Sequence, residues 1–302
     1  MTDNKRPDVG WIGVGKMGLP MCGHLLKAGF QVVAFNRAKE KLAPLVGQGA
    51  TAVDACRDVA AAPVIISMIS NDAALRAVAL GDDGVLAAAA AGSVYVDMST
   101  VSPTVSAEVA EAADAKGIAY LRAPVSGGVA LAEAAKLTVL MSGPAEAQTR
   151  ALPVFQVMSA KQIDVGAQEE ARVLKLLINM MVGSTAALVA EALTYGRRGG
   201  LDWDVMLDAL GSSAVASPLL GYKLEPLRAR DFTATFSIEQ MMKDFDLLLA
   251  SGHAVHAPLP VAAMVRQLLA AAEAQGDGAL DFFATVKTME RMAGLAEQKE
   301  ET

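Results

Sequence analysis

Cysteine, histidine and aromatic residues are scarce in this chain of 302 residues, which has two cysteines, three histidines and 5% aromatic residues. Two cysteines are too few for a disulfide framework, which makes a reducing compartment the simpler interpretation. The formal charge of −7 argues against the concentrated basic surface that nucleic-acid binding needs. The histidines show no metal-ligand spacing with carboxylates, so the sequence predicts no metal site.

Long uncharged segments are also scarce. Residues 1–8 carry charges with no apolar stretch behind them, which is unlike a signal peptide. The longest uncharged helical run, between Lys175 and Glu191, includes polar residues and falls short of the about 20 apolar residues that span a bilayer. We therefore expect a cytoplasmic protein with no membrane partner.

Apolar residues make up 53% of the chain and follow two different patterns. Up to about Asp164, short apolar runs alternate with stretches of helical length, which is typical of a mostly parallel sheet covered on both faces. From Glu169 onward, helical periodicity persists with little strand signal. The length suggests two domains, and a single large α/β domain is the alternative. The predicted strands are Val9–Ile12, Gln31–Phe35, Val64–Met68, Ser93–Asp97, Ile118–Leu121 and Leu137–Met141.

One long helix is predicted over Glu170–Arg197, because this segment contains neither proline nor a cluster of turn residues. Its apolar residues are distributed over nearly the whole circumference of the helix, as in a helix that is buried on several sides. We expect it at the centre of a helical domain or at a subunit interface, and so expect a homodimer or homotetramer. Further on, Lys223, Arg228 and Arg230 are expected to form a solvated face.

A glycine-rich loop follows the first predicted strand and opens a helix that runs through Leu26. In this context the glycines allow a tight turn, backbone approach to a pyrophosphate and close helix packing, and the helix N-terminus favours phosphate. The pattern predicts a Rossmann-like NAD(P)-binding domain over residues 1–166, followed by an all-helical domain over residues 167–302. The alternative is a glycine-rich turn with no ligand. The predicted cofactor contacts in the loop are Gly13, Gly15, Lys16, Met17 and Gly18.

The second strand ends at Asn36 and Arg37, where a site that prefers NAD usually carries an acidic residue for the ribose hydroxyls. Asn36 removes the repulsion that a carboxylate would exert on a 2′-phosphate, and the Arg37 guanidinium can pair with that phosphate. The sequence therefore predicts NADP, with NAD as the alternative. An exposed arginine at a strand end is the interpretation without a ligand.

Three further segments, Asp97–Thr100, Ala123–Gly128 and Lys175–Asn179, follow the glycine loop in a characteristic order and spacing. Together with that loop they resemble the β-hydroxyacid dehydrogenase family, which includes 3-hydroxyisobutyrate dehydrogenase and tartronate semialdehyde reductase. The resemblance runs from Val9 to about Gly294. It implies an NADP-dependent oxidoreductase that interconverts a short 3-hydroxy acid and its semialdehyde by hydride transfer, with the active site between the two domains.

The resemblance also implies a role for individual residues. Lys175 is the implied general acid/base, and Asn179, on the same helix face one turn away, positions the substrate hydroxyl. A lysine that merely reaches solvent is the alternative for Lys175. The residues implied to hold the substrate carboxylate are Ser126, Gly127 and Gly128, for which an ordinary glycine turn is the alternative. The further cofactor contacts are Met68, Thr100 and Lys243.

Several residues depart from the family pattern and leave the substrate open. Arg122 stands where aspartate is usual, and Ala167–Arg172 replaces a glycine-rich stretch. His24 replaces an asparagine, and Ala135-Lys136 replaces a Gly-Thr pair. Two other functions remain as alternatives. Imine reductases share the architecture but usually lack a lysine at position 175, and a catalytically silent cofactor-binding scaffold has no need of that lysine.

Overall fold

The computed structural model describes residues 8–295. These residues form two compact units, which divide between Lys175 and Leu176. The division falls inside a helix, whereas the domain boundary expected from the sequence, 166/167, precedes that helix. Residues 1–7, on which most of the signal-peptide prediction rests, lie outside the described residues.

The first unit contains a nine-stranded sheet of order β3-β2-β1-β4-β5-β6-β8-β7, with β9 paired to β8. Strands β1 to β6 are all parallel, and β8 runs antiparallel to β6 and β7. The predicted α/β class is confirmed. The strands are β1 Val9–Ile12, β2 Val32–Phe35, β3 Thr51–Ala52, β4 Val64–Ser67, β5 Val94–Asp97, β6 Ala119–Arg122, β7 Val125–Ser126, β8 Leu137–Ser142 and β9 Ser159–Gly166.

Alternate residues of the central strands enter two hydrophobic clusters. Val9 and Trp11 of β1 belong to one cluster, whereas Ile65 of β4 and Tyr95 of β5 belong to the other. Both faces of the sheet are therefore covered, and this is why these strands are continuous apolar runs. Strand β9 was missed because it is polar and only partly buried along most of its length.

The carboxyl ends of five strands are aligned at one edge of the sheet. Ile12 of β1 pairs with both Phe35 and Ser67, Ser67 pairs with Asp97, and Asp97 pairs with Arg122. The order of the strands reverses at β1, which lies between β2 and β4. Ligands of parallel α/β sheets bind beyond the carboxyl ends of the strands at such a reversal.

Helices cover the sheet in the first unit and form the second unit, where the described residues contain no strand. This confirms an all-helical C-terminal region that begins with a long helix. The helices are α1 Gly18–Lys27, α2 Ala43–Val46, α3 Asp72–Leu80, α4 Val85–Ala88, α5 Pro103–Asp114, α6 Val129–Glu133, α7 Ala145–Met158, α8 Glu170–Arg198, α9 Trp203–Ser212, α10 Pro218–Arg228, α11 Ile238–Ala254, α12 Pro260–Ala274 and α13 Thr285–Met292, with 3₁₀ helices at Lys39–Leu42, Cys56–Ala61 and Phe282–Ala284.

Helix α8 is less buried than its composition predicts. Leu176 and Leu193 lie in the core of the second unit, but Met181, Leu188 and Tyr195 are 58%, 65% and 80% exposed. The expectation of burial on several sides is therefore wrong for the single chain, because the second unit covers only part of the helix circumference. The alternative expectation, a subunit interface, stays a prediction.

By length and composition alone, α8 is a candidate membrane span: an 18-residue window of it has a mean hydropathy of 1.8 and is 33% buried. The uncharged run within α8, between Lys175 and Glu191, is shorter than the about 20 apolar residues expected of a membrane span. Length and hydropathy do not distinguish such a span from the core helix of a globular protein, and α8 does contribute to a core.

The expected solvated face of Lys223, Arg228 and Arg230 is wrong for two of its members. Lys223 is buried, and its ammonium lies 2.7 Å from both carboxylate oxygens of Asp281. The guanidinium of Arg230 is also paired, with the fully buried Glu290. Lys223 is buried and the Arg230 side chain is only 9% exposed because the folded chain supplies each of them with a buried carboxylate.

Candidate active site

The glycine loop between β1 and α1 has a backbone that requires glycine at its first position. Gly13 has a φ of +95°, and a Cβ there would lie 2.2 Å from the carbonyl oxygen of Met68. A side chain would collide with the backbone that follows β4. The loop and the predicted contact Met68 are thus adjacent at the carboxyl edge of the sheet.

Gly15, the second glycine, faces open space: a Cβ at this position would have no heavy atom within 4 Å. Helix α1 begins three residues later, and its N-cap residue, Met17, makes no side-chain capping hydrogen bond. The first turn contains no acidic residue. The loop thus combines free space beside the backbone with the positive end of a ten-residue helix, which fits the pyrophosphate of a dinucleotide.

Asn36 supports the loop directly. Its Oδ1 accepts a hydrogen bond of 2.9 Å from the Val14 amide, and its Nδ2 donates one of 2.8 Å to the carbonyl oxygen of Ala38. The side chain thus bridges the glycine loop and the turn after β2, a role that the sequence analysis did not foresee. Arg37, the next residue, is exposed at the same edge.

Thr100 follows the end of β5 and is held there by its neighbour. The Ser99 hydroxyl donates to Asp97 Oδ1 at 2.7 Å and accepts a hydrogen bond of 2.9 Å from the Ile69 amide. These bonds join the segments that follow β4 and β5. Two of the predicted cofactor contacts, Met68 and Thr100, consequently lie on adjoining segments.

The predicted carboxylate-binding turn lies between β7 and α6. Ser126 ends β7, and Gly128 is the N-cap residue of α6, without a side-chain cap. The ring of His24 hydrogen-bonds the carbonyl oxygen of Ala132, in the helix that follows the turn, at 2.9 Å. His24, which departs from the family pattern, thus connects α1 to the element that follows this turn.

Lys175 and Asn179 lie on α8, one turn apart, as the spacing predicts. Within the second unit, Nδ2 of Asn179 donates a hydrogen bond to Oδ2 of the buried Asp244. The ammonium of Lys243 forms an ion pair of 2.9 Å with Oδ1 of the same residue. Two predicted site residues, Asn179 and Lys243, therefore share the carboxylate of Asp244, a residue for which no role was predicted.

A glycine on α8 permits this arrangement. A Cβ at Gly183, one turn after Asn179, would lie 2.4 Å from the ring of Phe245. Since Phe245 adjoins Asp244 on α11, the glycine lets α11 approach α8 closely enough for the Asn179 hydrogen bond.

Two family models match the chain. The NAD binding domain of 6-phosphogluconate dehydrogenase matches residues 8–167. The model described as NAD-binding of NADP-dependent 3-hydroxyisobutyrate dehydrogenase matches residues 170–289. Between them, these two models include every predicted site residue.

Relatives match over nearly the whole chain. The 2-(hydroxymethyl)glutarate dehydrogenase of Eubacterium barkeri is 36% identical, over 95% of this chain and 96% of its own. The 3-hydroxyisobutyrate dehydrogenase of Pseudomonas aeruginosa is 37% identical, over 91% and 96%. A structure of Mycobacterium tuberculosis 3-hydroxyisobutyrate dehydrogenase with L-serine superposes with a TM-score of 0.85 at 28% identity, covering 94% of this chain and 99% of that one.

Proposed function

The chain belongs to the 3-hydroxyisobutyrate dehydrogenase-like (β-hydroxyacid dehydrogenase) family of NAD(P)-dependent oxidoreductases, and from this premise we propose that it interconverts a short 3-hydroxy acid and its semialdehyde, with NADP(H) as cofactor and Lys175 as general acid/base. The observation that carries the proposal is the alignment of strand ends that brings the glycine loop, Met68 and Thr100 to one edge of the sheet.

The proposed cofactor site follows from the loop geometry. The residues that would hold NADP(H) are Gly13, Gly15, Lys16, Met17, Gly18, Arg37, Met68, Thr100 and Lys243. The α1 N-terminus would bind the pyrophosphate, and Arg37 would bind the 2′-phosphate. Asn36 acts indirectly, because its side chain holds the Val14 amide and the Ala38 carbonyl oxygen. When bound, NADPH supplies the hydride that reduces the substrate carbonyl carbon and is itself oxidised to NADP⁺.

Lys175 completes the proposed reaction by moving one proton. During reduction its ammonium group donates a proton to the carbonyl oxygen, which becomes the hydroxyl of the product. During oxidation the neutral amine accepts the hydroxyl proton. Asn179 would position that hydroxyl, and its amide is oriented by the hydrogen bond to Asp244.

The proposed substrate class is a small carboxylate with a hydroxyl or aldehyde at C3. The turn Ser126–Gly128 offers a hydroxyl and backbone amides for the carboxylate. The L-serine in the Mycobacterium tuberculosis structure is a molecule of this class, and it bears a carboxylate and a 3-hydroxyl group.

A screen of short 3-hydroxy acids and their semialdehydes with NADPH and NADH tests the proposal. We expect turnover of at least one such pair and none of cyclic imines. Reduction of imines without turnover of any hydroxy acid would favour the imine reductase alternative. Cofactor binding without turnover of either class would favour the silent scaffold.

Replacing Arg37 by alanine is expected to weaken NADPH binding by about 10- to 100-fold, because a charge-assisted contact to the 2′-phosphate contributes about 1.5–3 kcal/mol. NADH affinity should stay within about twofold, since NADH lacks this phosphate. Fluorescence titration of both cofactors measures the difference. Equal affinities of the unaltered protein for NADPH and NADH would contradict the proposed preference.

We further propose that the chain is a cytoplasmic homodimer or homotetramer and that the exposed apolar side of α8 is covered by a second copy. Leu177, Met181 and Leu188 on this side are 48%, 58% and 65% exposed, and exposed apolar stripes of this kind mark interfaces. Light scattering at micromolar concentration should give at least twice the chain mass of 31.3 kDa, and Met181→Glu should lower it. A monomeric unaltered protein would rule out this assembly.

A further inference from the structure

Three neighbouring strand ends hold the segment that leads into Lys175. Asp97, Arg122 and Ser142 are register partners across β5, β6 and β8. Each of their side chains contacts residues 168–172, the segment that opens α8. We call this set of contacts, all within the first unit, the strand-end clamp.

Arg172 makes the most contacts in the clamp. Its Nη2 donates to Asp97 Oδ2 at 2.6 Å and to the Tyr120 hydroxyl at 2.9 Å. Its Nη1 donates to the carbonyl oxygen of Ser99 at 2.7 Å, and its Nε donates to the Ser106 hydroxyl at 3.1 Å. Arg172 and Asp97 are both buried, at 1% and 0% exposure. A planar guanidinium with this many partners fixes both the position and the rotation of the helix that carries it.

The other two strand ends contact residues 168–171, which precede Arg172 in the chain. Nε of Arg122 donates to Glu169 Oε1 at 2.9 Å, and its Nη2 bonds to the same oxygen. The Ser142 hydroxyl donates to the carbonyl oxygen of Gln168 at 2.6 Å and accepts from the Ala171 amide at 3.1 Å. The two departures from the family pattern, at Arg122 and at 167–172, are therefore complementary in charge and bind each other.

Arg172 and Tyr120 keep their protons in the clamp. Burial alone lowers the pKa of Arg172, but its interactions with Tyr120, Asp97 and Glu169 raise the pKa above the ordinary value for arginine. Burial raises the pKa of Tyr120 to about 12. Arg172 therefore stays protonated, and the Tyr120 hydroxyl stays neutral, throughout the neutral pH range.

We propose that the strand-end clamp positions Lys175 for proton transfer, an inference that rests on the proposed role of Lys175. Lys175 lies three residues after Arg172, less than one turn along the same helix. Thr100 follows the β5 end, which supplies Asp97 to the clamp. The clamp thus fixes the direction in which the Lys175 side chain projects from α8 relative to Thr100, the proposed nicotinamide contact. A displacement of 1 Å can cost about 10²-fold in rate.

The test uses variants of Arg122 and Glu169, which form the less buried of the two ion pairs in the clamp. Glu169→Gln and Arg122→Met should each lower kcat by about 10- to 100-fold and increase the solvent deuterium isotope effect on kcat, because proton transfer becomes slower. The NADPH Kd should stay within about twofold. Arg76→Met is the control outside the clamp: it breaks an exposed pair with Glu108 that has two hydrogen bonds of 2.8 Å in the same unit, and it should leave kcat and the isotope effect unchanged.

Two further variants keep the test decisive if a single substitution unfolds the chain. The exchange Arg122→Glu with Glu169→Arg restores the pair with reversed charges and should recover kcat to within about fivefold of the unaltered protein. The neutral double variant Asp97→Asn with Arg172→Met leaves no unpaired buried charge and should reduce kcat like Glu169→Gln.

The outcomes separate this inference from the proposed function. The positioning role would be overturned if Glu169→Gln and the neutral double variant both kept the original kcat and isotope effect while Lys175→Ala was inactive. That result would leave the proposed function intact. A loss of kcat that Arg76→Met reproduces would also overturn the positioning role, because the effect would then not be specific to the clamp. Full activity of Lys175→Ala would instead overturn the proposed function.

Discussion

Replacing Lys175 by alanine is expected to lower kcat by about 10²–10⁴-fold, because general acid/base catalysis by a positioned side chain contributes about that much. Lys175→Arg should restore little of this activity. A guanidinium stays protonated at working pH and cannot accept the hydroxyl proton during oxidation. Steady-state kcat as a function of pH, measured on the unaltered protein and both variants, tests the prediction.

Cofactor binding provides the control for this experiment. The residues proposed to bind the pyrophosphate and the 2′-phosphate, the glycine loop and Arg37, lie outside α8. The NADPH Kd of Lys175→Ala should therefore stay within about twofold of the original value. Turnover of the same substrate at nearly the original rate would mean that another group moves the proton, and the assignment of Lys175 would be wrong.

The second large effect is expected at Gly15. Gly15→Val should weaken NADPH binding by about 100-fold, or about 2.7 kcal/mol, because the side chain would occupy the space beside the loop that the pyrophosphate needs. The melting temperature should change by no more than about 2 °C, since the Cβ meets no protein atom within 4 Å. Isothermal calorimetry with NADPH and thermal unfolding without it measure the two quantities.

Gly221→Val is the matched control, because a Cβ at Gly221 on α10 likewise has no heavy atom within 4 Å. It should leave the NADPH Kd unchanged. Gly13→Ala should behave differently from both, with a lower melting temperature even without cofactor, because its Cβ would collide with the Met68 carbonyl oxygen. An unaltered NADPH Kd in Gly15→Val would show that the dinucleotide does not approach this loop.

The spacing of apolar residues within short windows was sufficient to predict much of the fold. The apolar runs of β1, β4 and β8 and the long helix α8 were predicted within one or two residues, because strand burial on two faces and helical periodicity are both visible in short windows. The short strand β7 and the polar strand β9 were missed because neither forms an apolar run of its own. Their pairing with β8 is decided by the rest of the sheet.

The burial of charged residues could not be predicted from such short windows. Lys223 was predicted on a solvated face, yet it is buried against Asp281, 58 residues further along the chain. Arg122 and Arg172 are bound by partners 47 and 75 residues away. A charged side chain is excluded from a protein interior unless a counter-charge is buried with it, and a short window does not contain that counter-charge.

The sequence by itself determined where the glycine loop, the strand ends and the Lys175–Asn179 pair occur, because each depends on residues that are near neighbours along the chain. Only the tertiary structure decided that Asn36 supports the loop, that Asp244 orients Asn179 and that three strand ends hold residues 168–172. These contacts join residues 22 to 75 positions apart. Such residues meet only after the sheet and the helices have packed, because each polar partner replaces water that packing removes.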